Sequence, residues 1–161
     1  MATYAGNYYI DGIDLWTNYG ITIAKGGLDD FLKLPKRKGS IEHNWSDEDG
    51  LDVDLSRNYY EAKEISVRFF ILADTEAAYW NSYNGFLTLL KKPGLRRFSI
   101  AVFGRDYHVF YKDCNIYDKI TPFRQTGKLF CSFVVQFVEQ VPGADSIETF
   151  LVNEDGLFII V

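Results

Sequence analysis

The sequence has few of the residue types that build metal or redox sites. It contains 2 Cys, 2 His, 1 Met and 4 Pro among 161 residues. Cys114 and Cys131 lie in separate strand-like segments without a CxxC spacing, so the sequence favours buried free thiols over a zinc site. His43 and His108 are far apart and have no neighbouring HxH or HxxxH partner, which disfavours a metal or catalytic role for either.

The sequence also lacks the common catalytic and nucleotide-binding motifs. No GxGxxG, GxxxxGK[ST] or GxSxG occurs. The acidic run 47–54 fails as an EF-hand loop, because Trp45 and Ser56 would occupy the first and last ligand positions. A solvated turn around Asp49 and Gly50 is the preferred interpretation. We therefore expect no catalytic residues, no cofactor and no metal ion.

Targeting and membrane signals are missing as well. The first nine residues lack the basic and apolar regions of a signal peptide, and no apolar run approaches the roughly 20 residues that span a bilayer. The sequence predicts a protein that is made and kept in the cytosol. Its net charge of -5 repels a phosphate backbone, so we expect neither specific nucleic-acid binding nor membrane association.

Aromatic residues are abundant, with 13 Phe, 11 Tyr and 3 Trp. Large aromatic side chains favour strands and supply most of a β-rich core. The length fits one domain, which we assign to residues 1–161 with a core at 7–141. A single chain of this composition is expected to build one hydrophobic core.

The apolar pattern predicts a mainly β (α+β) fold, a split β-barrel or sandwich of about 7–9 strands with one flanking helix and a C-terminal β-hairpin. Asp11-Gly12 predicts a tight turn between strands in 7–16, and a helix of about 15–17 residues is expected near 75–91 between Thr75 and Pro93. The strand near 128–141 is apolar on both sides, which predicts burial against the helix on one face and against the barrel interior on the other. The other expected strands are at 19–23, 59–72, 97–103 and 107–116. A turn at 104–106 is expected to join the last two.

Residues 28–57 form a long excursion in which little regular structure is expected. It combines an apolar patch, a basic cluster and an acidic cluster. Two interpretations are therefore kept, a segment that contacts a partner and a solvated surface loop. For the basic cluster, electrostatic pairing with an acidic patch on another subunit is a better interpretation than phosphate binding. The interface candidates here are Phe31, Leu34, Lys36, Arg37, Lys38, Trp45, Asp47 and Asp49.

The extension at 142–161 has its own hairpin pattern and ends in five apolar residues. A free strand of this composition invites edge-to-edge aggregation, so it must pair within this subunit or on a neighbouring one. These residues are further interface candidates: Leu157, Phe158, Ile159, Ile160 and Val161.

Two sequence phrases resemble the N-terminal barrel domain of phage distal tail proteins, within the tail-tube-like fold group. They are the segment 9–14 followed by 19–21, and the segment 49–54 followed by Tyr60, Lys63 and Ile65. The resemblance covers roughly residues 7–140, and the predicted order of strands and helix agrees with it. It implies a non-enzymatic virion protein that forms a homo-hexameric ring around the DNA channel and links the tail tube to the baseplate or tip.

The resemblance further implies that the protein is made in the host cytoplasm, resides in the virion tail and contacts other tail or baseplate proteins. Many distal tail proteins carry a second, carbohydrate-binding-like domain, for which the residues after Val141 are too few, so a minimal ring protein is expected. Three alternatives stay open: a major tail tube subunit, a monomeric β-barrel that binds a small ligand or sugar, and an enzyme whose residues converge only on folding.

Overall fold

The computed structural model describes residues 4–40, 42–44, 46–47, 49–50, 52–54, 56, 58–119, 128–142, 151–152 and 158–159. The helices in these ranges are α1 (Leu15–Tyr19), α2 (Asp29–Leu32) and α3 (Glu76–Leu90). The strands are β1 (Tyr8–Ile10), β2 (Ile13–Asp14), β3 (Ile21–Ile23), β4 (Glu42–His43), β5 (Asp52–Val53), β6 (Lys63–Ala73), β7 (Arg96–Ile100), β8 (Arg105–Lys119), β9 (Leu129–Glu139), β10 (Leu151–Val152) and β11 (Phe158–Ile159).

A seven-stranded antiparallel sheet dominates the fold, in the order β2-β1-β7-β8-β9-β6-β3. The sheet curls into a half-barrel, and α3 packs against β6 on one of its faces. The predicted mainly β class with one long flanking helix is confirmed. The two further pairs, β4 with β5 and β10 with β11, form separate two-stranded sheets, and the second is the expected C-terminal hairpin.

The hydrophobic core lies on one face of the large sheet. Phe69 of β6 is at its centre, with ring centroids 5.4 Å from Phe86 of α3, 5.8 Å from Phe133 and 6.3 Å from Phe137 of β9. These positions share a face because side chains alternate along a strand with a period of two. The prediction that β9 separates helix and barrel interior is wrong, because helix and core share one face. Burial of its other face is confirmed in part: Ser132 and Val138 are buried there, whereas Phe130, Val134 and Gln136 are half-buried.

Helix α3 agrees with its sequence signals. The Thr75 hydroxyl accepts a hydrogen bond from the Ala78 amide at 3.2 Å, and the Glu76 charge lies in the first turn, where it favours the helix dipole. Gly85 is required by packing, since a Cβ there would lie 2.7 Å from the Tyr19 ring of α1. The missing side chain lets α1 and α3 approach each other.

The first hairpin turns at Asp11 and Gly12, as predicted, and both have positive φ, 53° and 79°, as a type I′ turn requires. The second strand is shorter than expected. Asp14 caps a helix by accepting the Thr17 amide at 2.7 Å, so Trp16, expected in a strand, lies in α1. A capping carboxylate here overrides the strand-like apolar pattern.

Two side-chain carboxylates accept hydrogen bonds from backbone amides of strands, at positions that the neighbouring strand no longer pairs with. Asp11 accepts the Arg97 amide of β7 at 2.9 Å and the Arg96 guanidinium at 2.8 Å. Asp30 of α2 accepts the Ser66 amide of β6 at 2.9 Å, beyond the last residue paired with β3. Because an unpaired strand edge can template association, these contacts protect two places where the sheet is otherwise open.

Three other expectations differ from the structure. The excursion at 28–57 contains α2 and the β4–β5 hairpin, where little regular structure was expected. The turn between β7 and β8 is at 101–104 and not at 104–106, since Arg105 and Asp106 already pair with β7. Cys131 is buried, as predicted, whereas Cys114 is exposed on β8, outside the part of that strand that β7 covers.

Candidate assembly surface

The excursion leaves the sheet as a paired stem and a hairpin, and we call residues 36–61 the arm. Arg37 forms a bridge with Tyr60, flanked by hydrogen bonds from the Lys38 amide to the Tyr59 carbonyl and from the Glu61 amide to the Lys36 carbonyl, both 2.8 Å. Further out, β4 pairs antiparallel with β5. The basic cluster therefore forms one strand of the stem, and the acidic run lies around the outer hairpin.

The charges of the arm are only partly compensated within it. Lys36 lies 3.2 Å from Glu61, and the Arg37 guanidinium donates to the Ser40 hydroxyl at 2.9 Å. Hydrogen bonds from Ser56 and the positive charge of Arg37 hold the pKa of Asp54 below its usual value. Four further charged residues of the arm, Lys38, Glu42, Asp47 and Asp49, are exposed.

A cavity of about 360 Å³ opens beside the base of the arm, between α2, the β7–β8 turn and the end of β9. Its walls are mainly apolar and include Phe31, Leu34, Phe103 and Pro142. Charged side chains also line it, namely Lys33, Lys63, Arg105, Asp106 and Glu139. A cavity of this kind combines apolar contact with places for polar groups.

Lys63 and Glu139 are cross-strand partners at this end of the sheet. Both side chains are nine-tenths buried, and the Lys63 ammonium lies 3.9 Å from the Glu139 carboxylate. The ammonium also donates to the Phe31 carbonyl at 2.6 Å, which ties α2 to β6. Burial lowers the pKa of Lys63, opposed by the negative charges of Glu139 and Asp30.

Four exposed aliphatic residues either line this cavity or are next in sequence to residues that do, and we call them the apolar rim. The rim residues and their exposed fractions are Leu34 at 91%, Val102 at 74%, Val141 at 64% and Leu32 at 63%. Leu32 and Leu34 line the cavity themselves, while Val102 and Val141 adjoin the lining residues Phe103 and Pro142 in sequence. Single exposed apolar residues are ordinary, whereas a contiguous group of them is a candidate interaction surface.

The structure brings together only part of the predicted interface set. Leu34, Lys36, Arg37 and Lys38 lie at the base of the arm, beside the cavity. Phe31 is 3% exposed and packs against Phe98 and Tyr107, so it belongs to the core and offers no free surface. Asp47 and Asp49 lie near the outer hairpin, and β11 contains Phe158 and Ile159. Trp45, Leu157, Ile160 and Val161 lie outside the described residues.

Sequence reasoning missed four residues of this surface: Lys63, Glu139, Val102 and Val141. A signal existed for the charged pair, because Lys63 is in phase with Ile65 and Glu139 with Phe137, on the faces that the apolar pattern assigns to the core. A charged residue in phase with core positions indicates a buried or partnered charge. The two valines follow strand ends and carry no comparable signal.

A second titratable cluster lies under α3, at the far end of β6 from Lys63. The hydroxyls of Tyr79 and Tyr117 are hydrogen-bonded to each other, close to the buried Cys131 thiol. Burial raises the pKa of Tyr117 to about 12, and it raises the pKa of Tyr79 still further. These neutral hydroxyls are suited to joining helix and sheet.

Within the ranges that the structure describes, no three His, Cys, Asp or Glu side chains converge as metal ligands would. No helix among those residues is long and apolar enough to cross a membrane.

Comparisons with known proteins identify the fold. No protein-family model matches the chain, and no curated protein matches its sequence. Among solved structures, the chain is similar to the Dit protein of phage SPP1, described as a paradigm of the hub adsorption apparatus in phages that infect Gram-positive bacteria. The TM-score is 0.62 at 17% identity, over 84% of this chain and 50% of that one. The chain thus has a phage distal tail protein fold and spans about half the length of that protein.

Proposed function

We propose that this protein is a non-enzymatic structural subunit of a phage tail, or of a related injection machine. The observation that carries this proposal is the fold shared with a hub protein over 84% of the chain. A structural role needs surfaces for neighbours more than it needs a reactive site. We assign this role to the exposed apolar rim and the arm.

In the proposed assembly, identical copies form a homo-hexameric ring at the tail tip or baseplate, around the DNA channel. Rings arise when one patch of a subunit contacts a different patch on the next copy and the rotation closes. The interface candidates are Leu34, Lys36, Arg37, Lys38, Asp47, Asp49 and the C-terminal segment 157–161. Other tail or baseplate proteins would bind the two faces of the ring.

A major tail tube subunit of the same fold group is the second candidate. The resemblance of the segments 9–14 and 49–54 belongs to the wider tail-tube-like group and agrees with both roles. A small-ligand barrel is less well supported, because the core face of the sheet is filled by aromatic side chains such as Phe69, Phe98 and Phe137. A filled interior leaves little room for a ligand.

Labelled antibodies on purified phage particles test the proposal directly. Antibodies against the protein should label the tail, at its tip for a hub subunit and along its length for a tube subunit. Mass spectrometry of purified tails should recover the protein in a fixed ratio to other tail proteins. Absence of the protein from purified particles, with its full recovery among unassembled host-cell proteins, would contradict a structural role.

A further inference from the structure

We infer that the cavity at the base of the arm binds a tyrosine side chain presented by a different protein of the tail. The inference deepens the proposed structural role and rests on it. It assigns a defined chemistry to one contact of the subunit, in which an aromatic ring lies between apolar walls and its hydroxyl lies between Lys63 and Glu139.

The buried part of the cavity wall presents a hydrogen-bond donor beside an acceptor. The Lys63 ammonium lies 3.9 Å from the Glu139 carboxylate, and both side chains are nine-tenths buried and line the cavity. The ammonium donates to the Phe31 carbonyl at 2.6 Å, which leaves two of its three protons for other acceptors. Among the described residues, no donor forms a hydrogen bond with the Glu139 carboxylate. A buried carboxylate in this state gains from a ligand that donates to it.

A neutral group that both donates and accepts matches this pair better than a charged group does. A hydroxyl donates to the carboxylate and accepts from the ammonium, whereas an ammonium or guanidinium only donates and a carboxylate only accepts. A cation would also meet Lys63 and Arg105 in the cavity wall, and an anion would meet Asp106 and Glu139. The charges of the wall therefore favour a neutral hydroxyl or amide.

The apolar part of the wall favours a hydroxyl that is carried on an aromatic ring. It includes Phe31, Leu34, Phe103 and Pro142, which serine, threonine, asparagine or glutamine would leave largely without contact. The volume of about 360 Å³ is at the lower end of the range for ligand sites, about 300–1,000 Å³, and suits one ring-sized group. Tyrosine combines an apolar body with a polar tip, and it is enriched among the residues that anchor interfaces in pockets.

The apolar rim favours a tyrosine that belongs to a protein over a free phenol. The residues that flank an anchor on a protein surface can cover exposed aliphatic side chains such as Leu32 and Val141, which a free phenol would leave in water. Contacts of this kind around a central anchor exclude water from it.

The tyrosines of this chain are poor candidates for the same role in a second copy. Four of the eleven are exposed, namely Tyr4, Tyr59, Tyr60 and Tyr117. Tyr4 packs on Trp16, with ring centroids 5.0 Å apart, and the Tyr117 hydroxyl is hydrogen-bonded within the subunit. Tyr59 and Tyr60 lie in the stem beside the cavity, so their insertion would pair the same patch on two copies. Such a two-fold contact closes a dimer and does not continue a ring.

Two soluble compounds that differ only in the ring hydroxyl test the inference, N-acetyltyrosinamide and N-acetylphenylalaninamide. Isothermal titration calorimetry of the full-length protein should show saturable binding of the tyrosine compound, with a dissociation constant on the order of 1 mM or below. The phenylalanine compound should bind at least about tenfold more weakly, because it lacks hydrogen bonds to two charged groups. The protein is used as it assembles in solution, so a cavity closed by a ring contact would bind neither compound.

Lys63→Met with Glu139→Leu removes both charges together, since one buried charge alone would destabilise the fold. This doubly substituted protein should bind the two compounds equally. Lys112→Met with Glu64→Leu is the matched control, because these residues form an exposed ion pair on the other face of the sheet, and it should keep the tenfold preference. Circular dichroism checks folding. If the first variant does not fold, Glu139→Gln, which keeps the shape of the side chain, should still lower the preference.

Three results would overturn the inference: no saturable binding, equal binding of both compounds by the unmodified protein, or an unchanged preference after substitution of Lys63 and Glu139. Release of monomers from an unmodified oligomer by the tyrosine compound would also overturn it, by assigning the cavity to a second copy. Each of these results leaves the proposed tail role standing, because antibody labelling of particles decides that role separately.

Discussion

Phe31 and Leu34 lie close together in sequence and differ completely in their surroundings. Phe31 is 3% exposed, with its ring centroid 4.7 Å from that of Tyr107 and 5.2 Å from that of Phe98, whereas Leu34 is 91% exposed. The first residue closes the core over the end of the half-barrel. The second contributes nothing to that core, which leaves its side chain available for a contact outside the subunit.

The comparison separates residues that hold the fold from residues available for assembly. Substitutions in the core should lower the free energy of unfolding and should affect association only through unfolding. Substitutions in the apolar rim should weaken association and leave the free energy of unfolding nearly unchanged.

Phe69→Ala should have the largest effect, because it removes the ring at the centre of the aromatic core. A loss of about 3–5 kcal/mol in the free energy of unfolding is expected, from lost burial and the cavity left behind. Urea denaturation followed by circular dichroism measures it. Phe110→Ala is the matched control, since Phe110 is exposed on the other face of the sheet. Similar losses for both would show that the core does not lie on one face.

Asp11→Ala should lower the free energy of unfolding by about 1–3 kcal/mol, since the Arg97 amide and the Arg96 guanidinium lose their acceptor. Asp11 also has a φ of 53°, which alanine adopts poorly. Asp11→Gly separates the two effects, because glycine relieves the backbone and still lacks the carboxylate. Full stability in the glycine variant would show that only the backbone conformation matters here.

Alkaline pH should destabilise the protein through the tyrosine pair under α3. The pKa of Tyr117 is raised to about 12 in the folded state, while an unfolded tyrosine titrates near 10. The folded state therefore retains the proton longer, and this contribution is complete below about pH 10 and lost as the pH rises toward 12. The urea midpoint measured from pH 8 to pH 12 should fall less steeply in Tyr117→Phe. An unchanged slope would contradict the assignment.

Leu34→Asp should have the smallest effect on stability, within about 0.5 kcal/mol, because the side chain is almost fully exposed. It should nevertheless weaken self-association clearly, by placing a charge in the apolar rim. Leu72→Asp, at the far end of β6 from Lys63, controls for the added charge. Equal association of the two variants would remove Leu34 from the interface.

Much of the fold follows from local sequence signals. Thr75 and Glu76 predict the start of α3, Asp11 and Gly12 predict the first turn, and the alternation along 129–139 predicts its strand. These signals act over a few residues. The helix α1 was missed because capping by Asp14 competes with an apolar pattern that equally suits a strand.

The surface is less predictable, because exposure depends on residues distant in sequence. Phe31 and Leu34 belong to the same apolar patch, and only the positions of Phe98 and Tyr107 decide which of them is covered. Val102 and Val141 join the rim because the β7–β8 turn and the end of β9 both border the cavity. Periodicity along one segment does not contain that information.

Sedimentation equilibrium of the purified full-length protein, beside Leu34→Asp, tests most directly whether this end of the half-barrel assembles the subunit. We expect the unmodified protein to form a discrete closed oligomer, a hexamer for the proposed ring, and Leu34→Asp to shift the population toward monomer at unchanged stability. A monomer at every soluble concentration, or an oligomer indifferent to Leu34→Asp, would contradict it.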